Sequence, residues 1–351
     1  MTKTIKTTAL AVALCSGASI GLAQEDKIEA LQAQLNALAS FVESQSVQPT
    51  KTSIGGYGEL HYNNYQNASN KIDMHRFVLF VNHEFSDTIR FFSELEIEHA
   101  ISGAGQTGAT ELEQAFIQFE QSTGNIKVGM FLLPVGIINE THEPTTFYGT
   151  ERNPIDKYII PTTWREAGAM YSGHSATGLS YDVAIHSGLN TTTSIRSGRQ
   201  QVGNAVADTL AYTARLKYAG IQGLELSTTI NYQENLDQVA GGLGAATLVE
   251  AHAVYSLGQF KLTGLLANWS IDNGQNTQGL LLETSYRIND QFGVFVRQNT
   301  WDDTGAGDKV QYDAGFNYWA HEDVVLKVDV QQQNALAGNQ DGFNLGMGYQ
   351  F

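Results

Sequence analysis

The sequence predicts an all-β protein, a roughly 16-stranded antiparallel transmembrane β-barrel with an inward-folded third external loop, preceded by a short N-terminal helix or coiled coil. Three observations predict it. Apolar and polar residues alternate with a period of two from Ile54 onward, short and long links follow each other in turn, and four of the five prolines fall in one long link. We therefore divide the chain into residues 1–23, 24–53 and 54–351.

Residues 1–23 have the pattern of a secretory signal peptide. Lys3 and Lys6 precede an apolar stretch, and small residues end at Ala23, after which we expect cleavage. The single cysteine, Cys15, lies within this segment. The mature chain would therefore have no disulfide, no thiolate metal site and no cysteine nucleophile.

Residues 24–53 predict a periplasmic coiled-coil segment and a linker. Apolar side chains recur there in alternating steps of three and four, which is heptad spacing. They are Ile28, Leu31, Leu35, Leu38 and Val42. Fewer than three heptads are marginal alone, so a single solvated amphipathic helix is the alternative. Three barrels side by side would favour a trimeric coil, because they hold their N-termini at high effective concentration.

Residues 54–351 alternate as membrane-spanning strands do. From Leu224 to Tyr232, leucine, isoleucine and tyrosine share one face, and glutamate, serine and asparagine share the other. No apolar run beyond the N-terminus is long enough for a spanning helix, so any crossing is by strands. Alternating turns and loops give about sixteen strands, a width that leaves an aqueous channel. The terminal Phe351 resembles the signature by which bacterial outer-membrane barrels are recognised for insertion.

The long link from Pro134 to Glu166 is the predicted third external loop. Proline cannot donate to a sheet ladder, so its concentration here marks a break in the strands. If this loop folds inward, it narrows the lumen and acts as the filter. The residues then expected near the pore axis are Glu140, His142, Glu143, Glu151, Arg152, Asp156, Lys157 and Arg165.

The inward parity of the strands predicts a pore wall of mixed charge. Its candidate residues are Arg90, Glu94, Glu96, Glu98, Lys127, Arg215 and Arg297. Solvated polarity explains most single charges on such a wall. Three glutamates about 7 Å apart along one strand are harder to explain in this way, because their negative charges repel one another unless cations bind near them. The strand around Arg76 has apolar residues at both odd and even positions, so neither of its faces is uniformly apolar or uniformly polar.

Composition and motifs exclude several other functions. The net charge is −16, and removing two lysines and no acid with the signal peptide gives −18, which is unfavourable for binding nucleic acid. A GxGxxG match begins at Gly103, but no helix follows it, so the match is treated as chance. His142-Glu143 lacks the second histidine of a zinc-protease helix, and no triad is specific enough to name. We expect no enzyme activity, no cofactor and no metal site.

Several segments are similar to the phosphate-selective porin O and P family of Gram-negative bacteria. They are Gly56 to Leu60, His75 to Phe80, His83 to Asp87, Glu94 to His99, Asn139 to Pro144, Phe147 to Gly149 and Glu151 to Asn153. The resemblance implies a trimer of sixteen-stranded barrels whose third external loop enters the pore. Selective members of the family line the pore with an arginine ladder. The scattered inward arginines of this chain do not form one, so phosphate selectivity does not carry over.

These observations favour a porin that forms a water-filled channel for passive diffusion of ions and small hydrophilic solutes. The acidic wall favours weak cation preference or no selectivity. The alternative is an anion or phosphate channel that uses the basic residues of the loop. The expected location is the Gram-negative outer membrane, and the expected partners are outer-membrane lipid, lipopolysaccharide and two further copies of the chain. A barrel enzyme and a tether to the cell wall are the hypotheses from other classes.

Overall fold

The computed structural model describes Gln32 and residues 51–351 apart from Ala104 and residues 335–339. The predicted signal peptide and, apart from Gln32, the predicted coiled coil lie outside the described residues. Lys51–Phe351 forms a compact unit by itself. No helix in the described ranges has the length and apolar character needed to cross a membrane.

Sixteen strands pair in chain order, each antiparallel to the next, and β1 pairs with β16 to close the barrel. This confirms the predicted fold class. The strands are β1 (Thr52–Tyr65), β2 (Lys71–Ser86), β3 (Ile89–Glu98), β4 (Thr110–Gln121), β5 (Gly124–Leu132), β6 (Arg165–His174), β7 (Leu179–His186), β8 (Ala211–Ile221), β9 (Leu224–Gln233), β10 (Ala246–Leu257), β11 (Phe260–Ile271), β12 (Thr277–Arg287), β13 (Phe292–Asp302), β14 (Lys309–His321), β15 (Val324–Asn334) and β16 (Gly342–Gln350). Because consecutive strands are antiparallel, the short links share one end of the barrel and the long links share the other.

The two faces of the wall are inverted relative to those of a soluble protein. On β9, Leu226 and Ile230 are 42% and 50% exposed, while Thr229 and Asn231, which flank Ile230, are at most 1% exposed. The same inversion holds on β16, where Leu345 is exposed and Asn344 is buried. Apolar side chains that cover the outside of a closed barrel are suited to hydrocarbon.

Residues 133–164, here called the inner loop, connect β5 to β6 and lie inside the barrel. The loop contains a π-helical turn at Ile155–Ile159. Its backbone oxygens accept hydrogen bonds from Thr229 on β9 (3.1 Å, at Pro134) and from Lys327 on β15 (2.8 Å, at Gly149). A segment that contacts strands on opposite sides of a closed barrel must cross its lumen.

An apolar contact fixes the inner loop to one side of the wall. The buried Ile155 and Ile159 belong to a cluster with the inward side chains of β10 to β13, among them Trp269 and Trp301. Trp269 also donates its indole N–H to the carbonyl of Ile159 (2.9 Å). These inward side chains therefore contact the inner loop instead of open water. These inward positions are apolar because the inner loop covers them.

Asp156 is buried within the inner loop. Its side chain is fully buried, and it accepts a hydrogen bond from the Asn153 amide (2.7 Å). It lines a separate cavity of about 110 Å³ together with Asn153 and Arg297. Burial raises the pKa of Asp156 to about 6, and the hydrogen bond from the Asn153 amide only partly offsets this effect.

Replacing Gly279 with alanine should loosen the inner loop. A Cβ at Gly279 would lie 2.8 Å from Ile155 Cδ1 and 3.1 Å from Ile159 Cγ1, which is too close. We expect Gly279→Ala to cost about 1–3 kcal/mol of unfolding free energy through overpacking. Cleavage within residues 133–164 should also be faster during limited proteolysis in detergent.

Gly264→Ala is the matched control, because a Cβ at Gly264 meets only Leu282 Cδ2 at 3.6 Å, an ordinary contact. Equal stability and equal cleavage rates for the two variants would contradict the packing of the inner loop described above.

The ionisation of Asp156 should make the inner loop less stable as pH rises. Its pKa in the folded protein, about 6, lies above the ordinary value of 3.8, so the folded state binds the proton more tightly than the unfolded state. Stability should therefore fall as pH rises from about 4 to about 6, by up to about 3 kcal/mol.

Asp156→Asn keeps the shape of this side chain and removes its charge. In urea unfolding monitored from pH 4 to pH 7, the stability difference between the variant and the wild type should grow with pH in favour of the variant. A difference that is constant over this range would rule out the buried, protonatable carboxyl.

Candidate functional site

A charged cavity of about 260 Å³ lies between the inner loop, the wall from β1 to β4, and residues 187–210, here called the fourth loop. Its lining combines acids, bases and histidines from separate parts of the chain. They are Glu59, His61, His75, Arg76, Glu96, Glu98, His99, Glu111, Glu113, Phe147, Thr150, Glu151, Arg152, Lys157, Thr162, Thr163, Arg165, Arg196, Arg199 and Gln201.

Arg76 neutralises two glutamates of the wall. Its guanidinium lies 2.7 Å from Glu59 and 3.2 Å from Glu96, and all three side chains are at most 5% exposed. Burying a carboxylate is costly unless a counter-ion compensates it, and one arginine supplies that compensation on both sides. Glu96 is therefore not a free carboxylate that could bind a permeating cation.

His61 links the inner loop to β1. One ring nitrogen lies 3.1 Å from Glu59 and the other lies 3.0 Å from Glu151 of the inner loop. Asn63 on the same strand donates to Glu151 as well (2.9 Å). The His61 ring stacks on His75 with centroids 4.5 Å apart. Glu151 is thus fixed by two groups of the wall rather than projecting freely into the cavity.

Two β-bulges direct His75 and Glu113 into the cavity. In the register of β1 and β2, Glu59 faces Arg76 but Leu60 faces Met74, so His75 has no partner. The register of β3 and β4 skips Glu113 in the same way. An extra residue re-aims its side chain and reverses the parity that follows. This explains why neither face of β2 is clean in the sequence.

Four cations that line the cavity have no carboxylate within ion-pair distance among the described residues. They are Arg152, Lys157, Arg196 and Arg199. Their donors bind neutral oxygens instead: Arg152 donates to Thr163 Oγ1 (3.0 Å), and Arg196 donates to the carbonyls of Thr162 (2.8 Å) and Lys157 (3.1 Å). Over the same part of the chain, Glu98 is the one lining carboxylate without an ion pair.

The arginines of this group crowd one another. Burial, and then the positive charges of Arg196, Arg165 and Arg152, lower the pKa of Arg199 to about 9. Burial, followed by the charge of Arg152, also lowers the pKa of Arg196. These arginines remain charged at neutral pH, so this side of the cavity carries uncompensated positive charge.

The structure gathers six of the predicted site residues around this cavity: Glu96, Glu98, Glu151, Arg152, Lys157 and Arg165. Arg165 is the first residue of β6 rather than a loop residue, and it pairs with Glu111 and with Glu113 (3.5 Å). The roles assigned to these residues stay predictions.

The other predicted residues lie elsewhere in the barrel. Glu140 pairs with Arg215, which also contacts Asp182 (2.7 Å). Arg297 pairs with Asp313 (2.9 Å). Four more have contacts of their own: His142 lies against Glu94, Arg90 pairs with Glu120, Lys127 lies over the Phe116 ring, and the Glu143 carbonyl accepts from Thr146.

The prediction from the sequence did not include several of the residues that line the cavity. Glu59 and His61 share the inward parity with Tyr57 on β1, so alternation alone could have found them. His75 and Glu113 lie at bulges, which alternation hides. Arg196 and Arg199 lie in the fourth loop, and no local pattern shows that this loop folds against the inner loop.

The comparisons with known proteins agree with this architecture. The sequence pattern of the Gram-negative porin family matches residues 7–351. An uncharacterized protein of Aquifex aeolicus (strain VF5) is 32% identical over 332 residues, which cover 80% of this chain and 76% of the relative.

Solved structures with the same fold include outer-membrane proteins of three bacteria. Salmonella typhi OmpF in complex with daunomycin has a TM-score of 0.65 at 14% identity, covering 86% of this chain and 98% of that chain. The anion-selective porin from Comamonas acidovorans has a TM-score of 0.63 at 15% identity, covering 86% and 99%. The trimer form of in-vitro folded OmpT of Vibrio cholerae has a TM-score of 0.57 at 10% identity, covering 86% and 99%.

At these identities, the structural likeness shows the fold alone. The family match spans nearly the whole described barrel and the relative covers most of the chain. The closed sixteen-stranded barrel, with its apolar outer face and a loop across its lumen, agrees with this match. The chain belongs to the Gram-negative porin family of outer-membrane channels for small solutes.

Proposed function

We propose that the protein is a passive diffusion channel for small hydrophilic solutes and ions, and that the cavity between the inner loop and the wall is its constriction. The supporting observation is that the inner loop contacts β9, β11, β13 and β15 as well as β1. A loop held on all sides restricts the route of any solute through the barrel. Porin membership favours transport over catalysis.

We further propose that the constriction prefers anions. In the sequence analysis, an anion channel was the alternative to weak cation preference. Of the three wall glutamates that suggested cation preference, Glu96 is compensated by Arg76, and Glu94 lies 3.5 Å from the His142 imidazole. The four unpaired cations come from the inner and fourth loops. Arg152 keeps one buried guanidinium nitrogen, Nη2, without a hydrogen-bond partner in the described chain. An anion that passes this group supplies the missing acceptor.

Selectivity for phosphate over other anions is not part of this proposal. The unpaired cations cluster at one cavity instead of following the wall as a ladder. Small inorganic anions and organic carboxylates share the charge that such a cluster attracts. If phosphate blocked chloride current at low concentration, the chain would be closer to the phosphate-selective porins than we propose.

We infer a homotrimer, exported by residues 1–23 and carrying a coiled-coil segment in residues 24–53. The heptad spacing supports the coil, and the trimer form of OmpT is one of the structural neighbours. Chemical cross-linking of the detergent-extracted protein tests the trimer, and N-terminal sequencing of the mature chain tests cleavage after Ala23.

Removing two of the unpaired arginines should weaken the anion preference. In water, a charge about 6 Å from a permeating ion contributes about 0.7 kcal/mol, or roughly threefold in local anion concentration. We expect the double variant Arg196→Gln with Arg199→Gln to shift the reversal potential of a planar bilayer towards that of a cation-preferring channel.

The matched control is Lys71→Gln with Lys309→Gln. This double variant removes the same charge at the ends of β2 and β14, away from the cavity. It should leave the reversal potential close to that of the wild type. A wild-type channel that prefers cations, or equal shifts in the two double variants, would refute the anion preference while leaving the channel itself intact.

A further inference from the structure

A buried group of three ionisable side chains joins the inner loop to the wall at a second point. His142 belongs to the inner loop, Glu94 to β3 and Glu113 to β4. Their exposed fractions are 2%, 2% and 1%. A metal-ligating atom from each of the three lies within 4.8 Å of those from the other two. Side chains from three separate segments therefore converge on one small volume.

The hydrogen bonding of His142 leaves one nitrogen directed at two carboxylates. Its Nδ1 lies 3.2 Å from the backbone carbonyl of Asn139, an arrangement in which Nδ1–H donates. Its Nε2 lies 3.5 Å from Glu94 Oε1 and 3.4 Å from Glu113 Oε2. Neither contact is aligned as a hydrogen bond, and both Nε2 and Glu113 Oε2 lack a partner among the described atoms.

These are the features of a histidine that binds a metal ion. A metal-ligating imidazole usually donates its other ring N–H to a carbonyl or carboxylate, which fixes the tautomer and turns the lone pair towards the metal. With Nδ1–H so engaged, the lone pair on Nε2 would face two negatively charged oxygens. That arrangement is repulsive unless a metal cation or a proton lies between them.

The spacing of the donor atoms fits a small transition-metal ion. Zinc binds histidine nitrogen and carboxylate oxygen at about 2.0–2.2 Å, so two ligands of a tetrahedral site lie about 3.3–3.5 Å apart. The two measured separations, 3.4 and 3.5 Å, fall in this range. Outer groups support the carboxylates: Gln114 donates to Glu94 Oε2 (2.8 Å), and Arg165 Nη1 lies 3.5 Å from Glu113 Oε1.

We propose that His142, Glu94 and Glu113 bind one divalent transition-metal ion, of which Zn²⁺ is the best fit, with a water molecule as the fourth ligand. Glu113 also lines the charged cavity, which gives the ion a route to the site. Bound there, the ion would cross-link the inner loop to β3 and β4. This role goes beyond solute diffusion and does not depend on which ions the channel prefers.

A proton on His142 is the competing occupant. Burial disfavours the charged imidazole, but the interactions with Glu113 and then Glu94 outweigh it and raise the pKa of His142 to about 9. A divalent ion neutralises both carboxylates, whereas a proton neutralises only one of the two charges. Metal and proton therefore exclude each other, and metal binding should release a proton.

Two other histidine clusters serve as controls. In the first, His75 and His99 each have Nδ1 within hydrogen-bond distance of Asp73, at 3.2 and 2.7 Å, so these ring nitrogens are already engaged. In the second, the exposed His321 ends β14 and lies beside Asp323 in the following turn. Neither cluster contains a buried, unpartnered ring nitrogen among the described residues.

The test uses the full-length protein purified in detergent, stripped with a chelator and titrated with Zn²⁺ or Co²⁺. We expect one tight site per chain by calorimetry, and the visible absorption of tetrahedral Co²⁺. His142→Gln and Glu113→Gln should each weaken Zn²⁺ binding by more than about tenfold, the lower end of the effect of losing even an outer-shell partner. His99→Gln and His321→Gln should leave both signals unchanged.

Folding of each variant is checked by the heat-dependent shift of the barrel on gel electrophoresis. If Glu113→Gln does not fold, Glu94→Gln takes its place, and X-ray absorption of Zn²⁺ bound to the wild type reports one nitrogen and three oxygen neighbours independently of any variant. A wild-type protein that binds no Zn²⁺ overturns the proposal. So does a site that is lost in His99→Gln and retained in His142→Gln.

Discussion

The burial of the inner-loop isoleucines against β10 to β13 is the contact on which the rest of the interior depends. A sixteen-stranded barrel is too wide for its own side chains to fill, so its inward face has no partner unless a loop supplies one. Ile155 and Ile159 supply it, and the indole of Trp269 closes the contact with a hydrogen bond. Once the loop is fixed on that side, Glu151 and His142 reach β1, β3 and β4 on the other. The polar contacts are thus positioned by an apolar one.

The interior also shows why overall charge is a poor guide to selectivity. The chain is strongly acidic, yet most carboxylates of the cavity are matched by arginine or histidine at short distance. Burying a carboxylate without a cationic partner is costly, so the buried glutamates lie beside cations. The charges of each pair largely cancel, and the pair contributes little to the electrostatic field in the cavity. What remains is set by the groups left over, chiefly Arg152, Arg196 and Arg199. The electrostatic field in the charged cavity can therefore have the opposite sign to the net charge of the chain.

The strand architecture could be predicted from the sequence because alternation and turn chemistry are local. The inversion of faces seen on β9 follows directly from its residue order. The site was predicted only in part, since its geometry depends on non-local events. Parity fails at His75 and Glu113, where an extra residue slips the register. The apolar inward positions near Trp269 could be interpreted only after the loop that covers them was known. Asp156 illustrates the same limit, because a charged side chain of the loop can also form hydrogen bonds within the loop, as Asp156 does with Asn153.

The last residue of the chain takes part in the seam that completes the ring. Phe351 donates to the carbonyl of Gly56 (2.9 Å), and its own carbonyl accepts from the Gly56 amide (3.0 Å). Until β16 docks on β1, the growing sheet has two open edges, each a template for pairing with another chain. A sheet without β16 would therefore keep both edges exposed and could pair with another chain instead of closing.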